Sequence, residues 1–448
     1  MKKIIFSFVL LSRLLAFSQD STQTIFSLIE AQNYAIQNNK QIVNARLDVL
    51  ISKKKIWETT AIGLPQASAS TSYNYNIDLP VTLMPAKIFN PKAADGEYIE
   101  MKFGTEHNTK FNFQATQIIF SGEYIVGLKA SKIYKQLSEN QVEKTEQDIR
   151  EQIANTYELI LIAQERKQIL EKNIKSTKSI YDDTQSLFES GLAQETDASQ
   201  LKINLTTLEN ALKSANRQID IIKNLLKFQM NIPLENPIEL SDKLEPLLTS
   251  INIGTLLNTP FDIKNHIDYK IVSTQEHLQE LNLNREKSTF LPSISAFYNH
   301  QESMMGNDFE VFEGGEWYPA NIVGLNINIP LFGSGQKLSK VSQQKIELDK
   351  IQNSKYQLSE SLNMQVIKAR LEFQNAHDSY LLQKSNKELA KKIYKDYEIK
   401  YKEGMTSSLE LTQAQIQYLN TEQSYFQAVF NLLDAKNKLD KALGVLNQ

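Results

Sequence analysis

Two ten-residue stretches decide the fold: FESGLAQETD at residues 188–197 and YKEGMTSSLE at residues 401–410. Each has an aromatic residue, a glycine three positions later and an acid six positions after the glycine. The second stretch lies 213 positions after the first, and a long proline-free segment surrounds each of them. Glycine at the end of a helix adopts positive φ without steric cost, so each stretch predicts a helical hairpin that reverses at Gly191 or Gly404.

The helix after each turn carries a seam of apolar and small residues at alternating steps of three and four. A mean step of 3.5 residues is the signature of coiled-coil packing. The second seam comprises Leu411, Ala414, Tyr418, Thr421, Tyr425, Ala428, Leu432, Ala435, Leu439 and Ala442, and the first comprises Ala198, Leu201, Leu205, Leu208, Leu212, Ala215, Ile219, Ile222 and Leu226. The sequence therefore predicts an internal two-fold repeat of long coiled-coil helices.

The composition excludes several classes of protein. Lys and Arg total 49 against 52 Asp and Glu, a formal charge of −3 that argues against nucleic acid as a partner. Cysteine is absent, which removes disulfides, thiolate metal sites and cysteine nucleophiles. The five histidines show no paired-ligand spacing, and no catalytic motif is found. We therefore predict no enzyme activity, no metal site and no cofactor.

The N-terminus has the pattern of an export signal. Lys2 and Lys3 precede the apolar run 4–11, and small residues at Ala16 and Ser18 form a cleavage site, which predicts a signal peptide over residues 1–18. The alternative is a buried N-terminal helix. No later stretch approaches the roughly 18 apolar residues of a transmembrane helix, so any membrane insertion is expected to use strands.

Four segments alternate apolar and uncharged polar residues as strands do, at about residues 67–78, 109–119, 293–301 and 320–330. One apolar and one uncharged polar face suits a strand between lipid and water, whereas a soluble sandwich edge, the alternative, usually carries charges on its wet face. The predicted lipid-facing side chains are Phe111, Phe113, Val323, Leu325, Ile327 and Ile329.

These elements predict a layout in three parts. The first repeat covers residues 19–232 and the second covers 262–448, separated by an irregular, proline-rich segment at 233–261. Each repeat is expected to hold a leading helix, two strands and a helical hairpin, with tips at 189–196 and 402–409. The segments 79–105 and 301–318 are expected to be loops at the outer surface. The first repeat carries extra residues between its landmarks, and inserted length belongs in a loop.

The duplicated plan and the aromatic–glycine–acid pattern of each turn resemble the TolC family of outer-membrane efflux proteins. The resemblance implies an α+β membrane protein in which a long α-helical coiled-coil barrel continues into a twelve-stranded trimeric β-barrel, with four strands from each chain. Open sheet edges are not tolerated in hydrocarbon, which independently requires a homotrimer or larger closed assembly in outer-membrane lipid.

The same resemblance implies roles for the residues of the tips. Glu410, Gln413, Thr406 and Tyr401 are candidates for a periplasmic gate, although Gln413 replaces a family aspartate and Thr406 replaces a family arginine. Contacts with a periplasmic adaptor are expected at Phe188, Gly191, Thr196, Asp197, Gly404 and Met405. For Asp197 and Glu410 the plain alternative is a first-turn carboxylate favoured by the helix dipole.

The function implied is passive conduction through an outer-membrane exit duct, with a long periplasmic extension. A periplasmic adaptor and an inner-membrane transporter are the expected partners, in a tripartite efflux pump or secretion system. The alternative is a soluble periplasmic coiled-coil scaffold or adaptor-like protein. An adaptor normally has one hairpin among many short strands, whereas this chain has two hairpins and few strands.

Overall fold

The computed structural model describes residues 24–309 and 314–445, so the predicted signal peptide lies outside the described residues. The chain divides into two compact units. The helical unit consists of the described parts of Met1–Asn44, Glu143–His266 and Ser361–Gln448. The strand unit consists of Ala45–Val142 and the described part of Ile267–Glu360. The prediction of a mostly helical chain with some strands is confirmed.

The strand unit is built around a four-stranded antiparallel sheet, in the order β2-β5-β7-β8. Its strands are β2 (Gln66–Tyr75), β5 (His107–Phe120), β7 (Ser293–Gly306) and β8 (Trp317–Asn328). Helix α7 (Ile267–Ser288) precedes β7, and the two outer strands, β2 and β8, each have one edge without a partner strand among the described residues.

The register sorts the sheet into two chemically different faces. Side chains of directly paired residues lie on the same face of an antiparallel sheet. One set of pairs joins Phe113 to His300, Tyr298 to Val323 and Ala296 to Leu325, and we call their side the apolar face. The alternate set joins Ser70 to Asn112, Asn112 to Gln301 and Asn299 to Ile322, and we call their side the polar face.

The lipid-facing candidates need one correction. The register puts Phe111, Phe113, Val323, Leu325 and Ile327 on the apolar face. Ile329 is not part of a strand, because β8 ends at Asn328 and the chain continues through Pro330, which has no N–H for a ladder.

The sequence predicted only a loop over residues 79–105, and this prediction was incomplete. The segment holds a second antiparallel pair, β3 (Val81–Pro85) and β4 (Tyr98–Lys102), with a 3₁₀ turn at Ala86–Ile88. Strands β7 and β8 also extend into 301–318, since Met304 pairs with both Thr109 and Trp317. The polar run at 301–303 conceals this extension in the sequence.

The helical unit contains two hairpins made of four long helices. Their bounds are α3 (Gly122–Glu189), α4 (Glu195–Met230), α8 (Gln336–Lys402) and α9 (Ser408–Leu443), and α3 and α8 begin within the residues of the strand unit. Between the repeats lie β6 (Ile238–Leu240), α5 (Leu244–Thr249) and α6 (Ile253–Asn258). Strand β6 pairs in parallel with β1 (Thr24–Phe26).

The single leading helix predicted for the first repeat is two helices, α1 (Leu28–Asn38) and α2 (Lys40–Ile62). Asn39 interrupts them with φ −61° and ψ 131°, a non-helical conformation. Its side-chain amide donates to the carbonyl oxygen of Gln229, 2.7 Å away, and its side-chain oxygen accepts from the N–H of Gln41. An asparagine that bonds to the backbone in this way competes with helix continuation.

The core of the helical unit forms around Tyr157, whose side chain is fully buried. Its hydroxyl lies 2.9 Å from the carbonyl oxygen of Phe26 and 2.9 Å from Oδ2 of Asp242, which ties α3 to β1 and to the segment after β6. The apolar cluster around it includes Ile149, Ile153, Ile160, Leu226, Met230 and Val429. A buried polar hub of this kind fixes which elements pack together.

Among the described residues, no helix is both long and apolar enough to cross a membrane.

Candidate functional site

The first hairpin turns through a Schellman motif centred on Gly191. The N–H of Leu192 donates to the carbonyl oxygen of Leu187 and that of Gly191 donates to Phe188, both at 2.8 Å. Gly191 has φ +76°, and a Cβ built on it would meet open space. Glycine is therefore required by the left-handed backbone and not by crowding.

The second hairpin repeats this geometry at Gly404, where φ is +72° and the space around an added Cβ is also open. The N–H of Met405 donates to Lys400 at 2.8 Å, and that of Gly404 donates to Tyr401 at 3.0 Å. The residue after each glycine is a large apolar side chain in solvent: Leu192 is 77% exposed and Met405 is 69% exposed.

Helix α9 begins with a complete capping box. The N–H of Glu410 donates to Oγ of Ser407 at 3.2 Å, and the Glu410 carboxylate accepts from the N–H of Ser407 at 3.0 Å. The hydroxyls of Thr406 and Ser407 donate to the same carboxylate oxygen. These three donors, with Thr406 the strongest, hold the pKa of Glu410 below its usual range. Glu410 and Thr406, two gate candidates, are therefore in direct contact.

Helix α4 begins without such a box. Its N-cap is Gln194, whose side chain makes no capping bond. Asp197, in the first turn, instead accepts a hydrogen bond from the hydroxyl of Ser408, which is the first residue of α9 and is buried. The acid of the first tip thus joins the two hairpins to each other.

Tyr401 makes a second link between the hairpins. Its hydroxyl lies 2.9 Å from Oγ1 of Thr184, which is 2% exposed on α3. Burial is the main cause that raises the pKa of the Tyr401 phenol, and the charge of Asp197 adds to it. Tyr401 therefore stays a neutral hydrogen-bonding group at physiological pH.

Further from the turns, sequence reasoning missed a buried polar layer. Gln415 is 2% exposed; its Oε1 accepts from Asn204 at 2.6 Å and its Nε2 donates to Thr177 at 2.8 Å. Next to it, Tyr394 and Tyr418 stack with their ring planes 6° apart and their centroids at 5.8 Å. Gln415 follows the seam residue Ala414 directly, so its position beside the seam was the available signal.

Two carboxylates are buried in α3 and α9. Glu422 accepts from the Tyr418 hydroxyl at 3.0 Å, and burial raises its pKa to about 6 although Lys387 opposes the shift. Glu158 accepts from the Asn437 amide at 2.9 Å, and burial raises its pKa to about 7. Both carboxyl groups therefore titrate closer to neutrality than an exposed acid.

The remaining tip candidates do not converge on one another. The Gln413 and Thr196 side chains are exposed, and the Thr196 hydroxyl lies 3.3 Å from Oε1 of Gln194. Phe188 is half-buried. The structure brings together Thr406 with Glu410, Tyr401 with Thr184 and Asp197 with Ser408, and leaves the other candidates at the surface.

The apolar face of the sheet is unusually open to solvent in one chain. Val323 is 81% exposed, Leu325 is 66% and Ile327 is 55%, while Phe111 is 39% exposed and Phe113 is half-buried. Contiguous exposed apolar surface of this kind marks a surface that contacts lipid or another protein.

Comparison with solved structures gives extensive likenesses, and three examples show their range. CusC superposes with a TM-score of 0.73 at 15% identity, over 94% of this chain and 93% of that chain. VceC, an outer membrane protein of Vibrio cholerae, gives 0.68 at 14% identity over 93% and 96%. The CmeC outer membrane channel of Campylobacter jejuni gives 0.67 at 18% identity over 96% and 90%. At these identities the likeness establishes a shared fold.

Comparison with curated protein sequences gave no match. The sequence profile of a family described as outer membrane efflux protein, in contrast, matches residues 32–231 and 278–445, which is most of the chain and includes both hairpin tips. The family is one of transport conduits, and the match does not favour the alternative of a soluble scaffold. The chain belongs to the outer membrane efflux protein family and serves efflux at the outer membrane.

Proposed function

We propose that three copies of the chain join their sheets edge to edge into a twelve-stranded β-barrel that conducts exported solutes through the outer membrane. The observation that carries this proposal is the four-stranded sheet with one apolar face, one polar face and, among the described residues, an unpaired edge on both β2 and β8. Hydrocarbon does not tolerate unpaired strand edges, and closure removes them. Two copies would give eight strands, whose interior is nearly filled by side chains, so three is the smallest number that leaves a channel.

The two helical hairpins form the periplasmic part of the duct in this proposal. Their tips contact a periplasmic adaptor, which links the duct to an inner-membrane transporter that supplies the energy. The exposed Leu192 and Met405 support this role, because each is a large apolar side chain held in solvent by a rigid turn. Phe188, Thr196 and the two turn glycines belong to the same surface.

The second tip is also proposed to form the periplasmic gate, with Tyr401, Thr406, Glu410 and Gln413 near the three-fold axis. The exposed carboxylate of Glu410, with its lowered pKa, supports this role because it stays charged at periplasmic pH. Because Thr406 stands where the family has an arginine, its contact with Glu410 stays within one chain and supplies no ion pair between chains.

The decisive experiment places a charge on each face of β8. Val323→Arg and Ile327→Arg put a guanidinium on the apolar face, and we expect each to cost roughly 2–4 kcal/mol near the bilayer midplane. The matched control is Asn326→Arg, which lies between them on the polar face. The readout is the amount of trimer extracted by detergent from the outer-membrane fraction.

We expect both apolar-face variants to lose the trimer and the control to keep it. Normal assembly of Val323→Arg and Ile327→Arg, with loss of assembly in the control, would reverse the facing of the sheet. A wild-type protein that remains in solution after the membranes are pelleted would refute the barrel itself.

A further inference from the structure

The polar face of the four-stranded sheet has an unusual chemical composition. The side chains there are Gln66, Ser68, Ser70, Ser72 and Asn74 of β2; Asn108, Lys110, Asn112, Gln114, Thr116 and Ile118 of β5; Ser293, Ser295, Phe297, Asn299, Gln301, Ser303 and Met305 of β7; and Tyr318, Ala320, Ile322, Gly324, Asn326 and Asn328 of β8. Among them, Lys110 is the only side chain that is charged at neutral pH.

The Lys110 side chain is exposed and has no ion-pair partner among the described residues. Lys110 pairs with Ser72 on one side and Ser303 on the other. It lies three residues from the start of β5 at His107, about 10 Å along the strand at 3.4 Å per residue. The nearest carboxylate within the sheet, that of Glu302, lies on the opposite face.

From this placement we infer that Lys110 makes the polar wall of the duct electropositive at its own level, inside the mouth, and favours anionic solutes there. The inference rests on the proposed trimeric barrel. Twelve strands about 4.8 Å apart and tilted about 40° enclose a cylinder of about 12 Å radius. The flexible stem of each lysine brings its ammonium inward from that wall. Three ammonium groups then lie within about one Debye length, 10 Å at 0.1 M salt, of any solute on the axis.

The loop between β2 and β5 opposes this field at the mouth of the barrel. It contains Asp78, Asp95, Glu97, Glu100 and Glu106 against Lys87, Lys92 and Lys102. The segment between β7 and β8 adds four acids and no basic residue: Asp308, Glu310, Glu313 and Glu316. A solute would thus meet an acidic mouth on one side of the lysine ring and a neutral polar wall on the other. The effect of Lys110 is therefore local, and its test has to measure the potential at that depth and not only the selectivity of the whole channel.

The absence of cysteine makes such a local measurement possible, because an introduced cysteine is the only thiol. Ser72→Cys puts a thiol beside Lys110 on the polar face, where Ser72 is exposed. The reporter protein is reconstituted in vesicles and treated with two impermeant methanethiosulfonates, one bearing a sulfonate and the other a trimethylammonium group. The measured quantity is the ratio of their reaction rates with the thiol, anion over cation.

We expect Lys110→Gln to lower this ratio about ninefold at 0.1 M salt. Coulomb's law in water with screening gives about threefold enrichment of an anion and about threefold depletion of a cation near three such charges. Lys110→Arg should keep the ratio of the parent protein. Salt at 1 M should abolish the difference between the parent and the Lys110→Gln variant, since the Debye length falls to about 3 Å.

A reporter at Asn326→Cys is the matched control. Asn326 lies on the same polar face opposite Ser295, which pairs with Ile118, about 27 Å along the strand from Lys110. Lys110→Gln should leave the ratio there unchanged. An unchanged ratio at the Ser72→Cys reporter, or an equal change at both reporters, would overturn the inference.

A third reporter separates this inference from the proposed function. Val323→Cys, on the apolar face, should be protected from both reagents by lipid. If it reacts as fast as the Ser72→Cys reporter, the sheet does not lie in a membrane and the barrel proposal fails. If Val323→Cys is protected but Lys110→Gln does not change the ratio at the Ser72→Cys reporter, the barrel proposal stands. Only the inference about Lys110 is then wrong.

Discussion

The two hairpin tips have the same turn but use their acids in different ways. At both, a glycine with φ near +75° closes a Schellman motif and an apolar residue follows in solvent. In the second tip the carboxylate of Glu410 is bound by Ser407 and Thr406 of its own turn. In the first tip the carboxylate of Asp197 is bound by Ser408 of the other hairpin.

The difference teaches that matching positions in a repeat need not have matching roles. Helix α9 carries the donors and acceptors that its own N-terminus requires, so its start is stable without help from a neighbour. Helix α4 has Gln194 where α9 has Ser407, and its acid is left available for a contact between hairpins. The start of α4 therefore depends on the contact between Asp197 and the second hairpin, whereas the start of α9 is capped by its own residues.

The strongest test of this dependence is to remove each acid in turn. Asp197→Ala leaves the buried Ser408 hydroxyl without its acceptor, and we expect it to destabilise the paired tips by about 2 kcal/mol. Glu410→Ala should cost clearly less and act on the start of α9 alone. Amide hydrogen exchange of the first turns of α4 and α9 measures both effects.

In that experiment, Asp197→Ala should speed exchange at both tips, and Asp197→Asn, which keeps an acceptor oxygen, should recover much of the protection. Equal effects of Asp197→Ala and Glu410→Ala, each confined to its own helix, would show that the two acids have the same local role.

The two tips share the same turn, so losing the turn glycine should lower the free energy of unfolding by a similar amount at each tip. Gly191→Ala and Gly404→Ala each force a Cβ into the left-handed region, at a cost of about 1 kcal/mol. Gly127→Ala is the matched control, because Gly127 lies inside α3 without positive φ and with open space around it, and alanine there should stabilise the helix. The free energy of unfolding in detergent reports all three.

A difference of more than about 1 kcal/mol between the two turn variants would show that one tip bears strain that the other does not, against the equal φ angles. If Gly127→Ala is destabilising, loss of a glycine is harmful for a reason other than the sign of φ.

The N-caps should reproduce the contrast on a smaller scale. Ser407→Ala removes the hydroxyl that caps the N–H of Glu410, and we expect a loss of about 0.5–1 kcal/mol. Gln194→Ala removes no capping bond and should be neutral, while Gln194→Ser should stabilise α4. Circular dichroism melting in detergent of the three variants measures these differences. A costly Gln194→Ala would show that α4 is capped in some other way.

Much of this architecture has a local cause and was therefore accessible from the sequence. Gly191 and Gly404 predict helix reversal because glycine adopts positive φ readily in any context. Family membership followed from the same turns and is confirmed by the profile match. The apolar alternation at Val323, Leu325 and Ile327 is likewise local, since strand periodicity is two in any context.

The features that could not be predicted from the sequence depend on contacts between distant residues. The partner of Asp197 lies 211 positions away, and no local pattern distinguishes an acid that caps its own helix from one that binds another hairpin. The pairing of β3 with β4 was missed because their short sequences, VTLMP and YIEMK, lie apart without a tight-turn signal. The break at Asn39 depends on its bond to Gln229, at the end of α4.

The smallest expected effect is that of pH on the second tip. Because the pKa of Glu410 is lower in the folded chain, its carboxylate stabilises the fold above the pKa of the unfolded chain, near 4.5, and this contribution is lost as pH falls through the folded value. The buried Glu158 and Glu422 have the opposite sign: their raised pKa values, about 7 and about 6, mean that stability is lost as pH rises from about 4.5 through those values.

Carboxyl carbon chemical shifts, followed by NMR against pH, separate the two kinds of group. In the wild type, the Glu410 signal should titrate below the ordinary glutamate range, and Thr406→Val should move it back toward that range because Thr406 is the strongest donor. Adding Ser407→Ala to the Thr406→Val variant should move the signal further in the same direction, because the Ser407 hydroxyl also donates to the carboxylate. A Glu410 signal that titrates normally in the wild type would mean that the capping box does not hold the carboxylate, and the two tips would then differ only in the bond between Asp197 and Ser408.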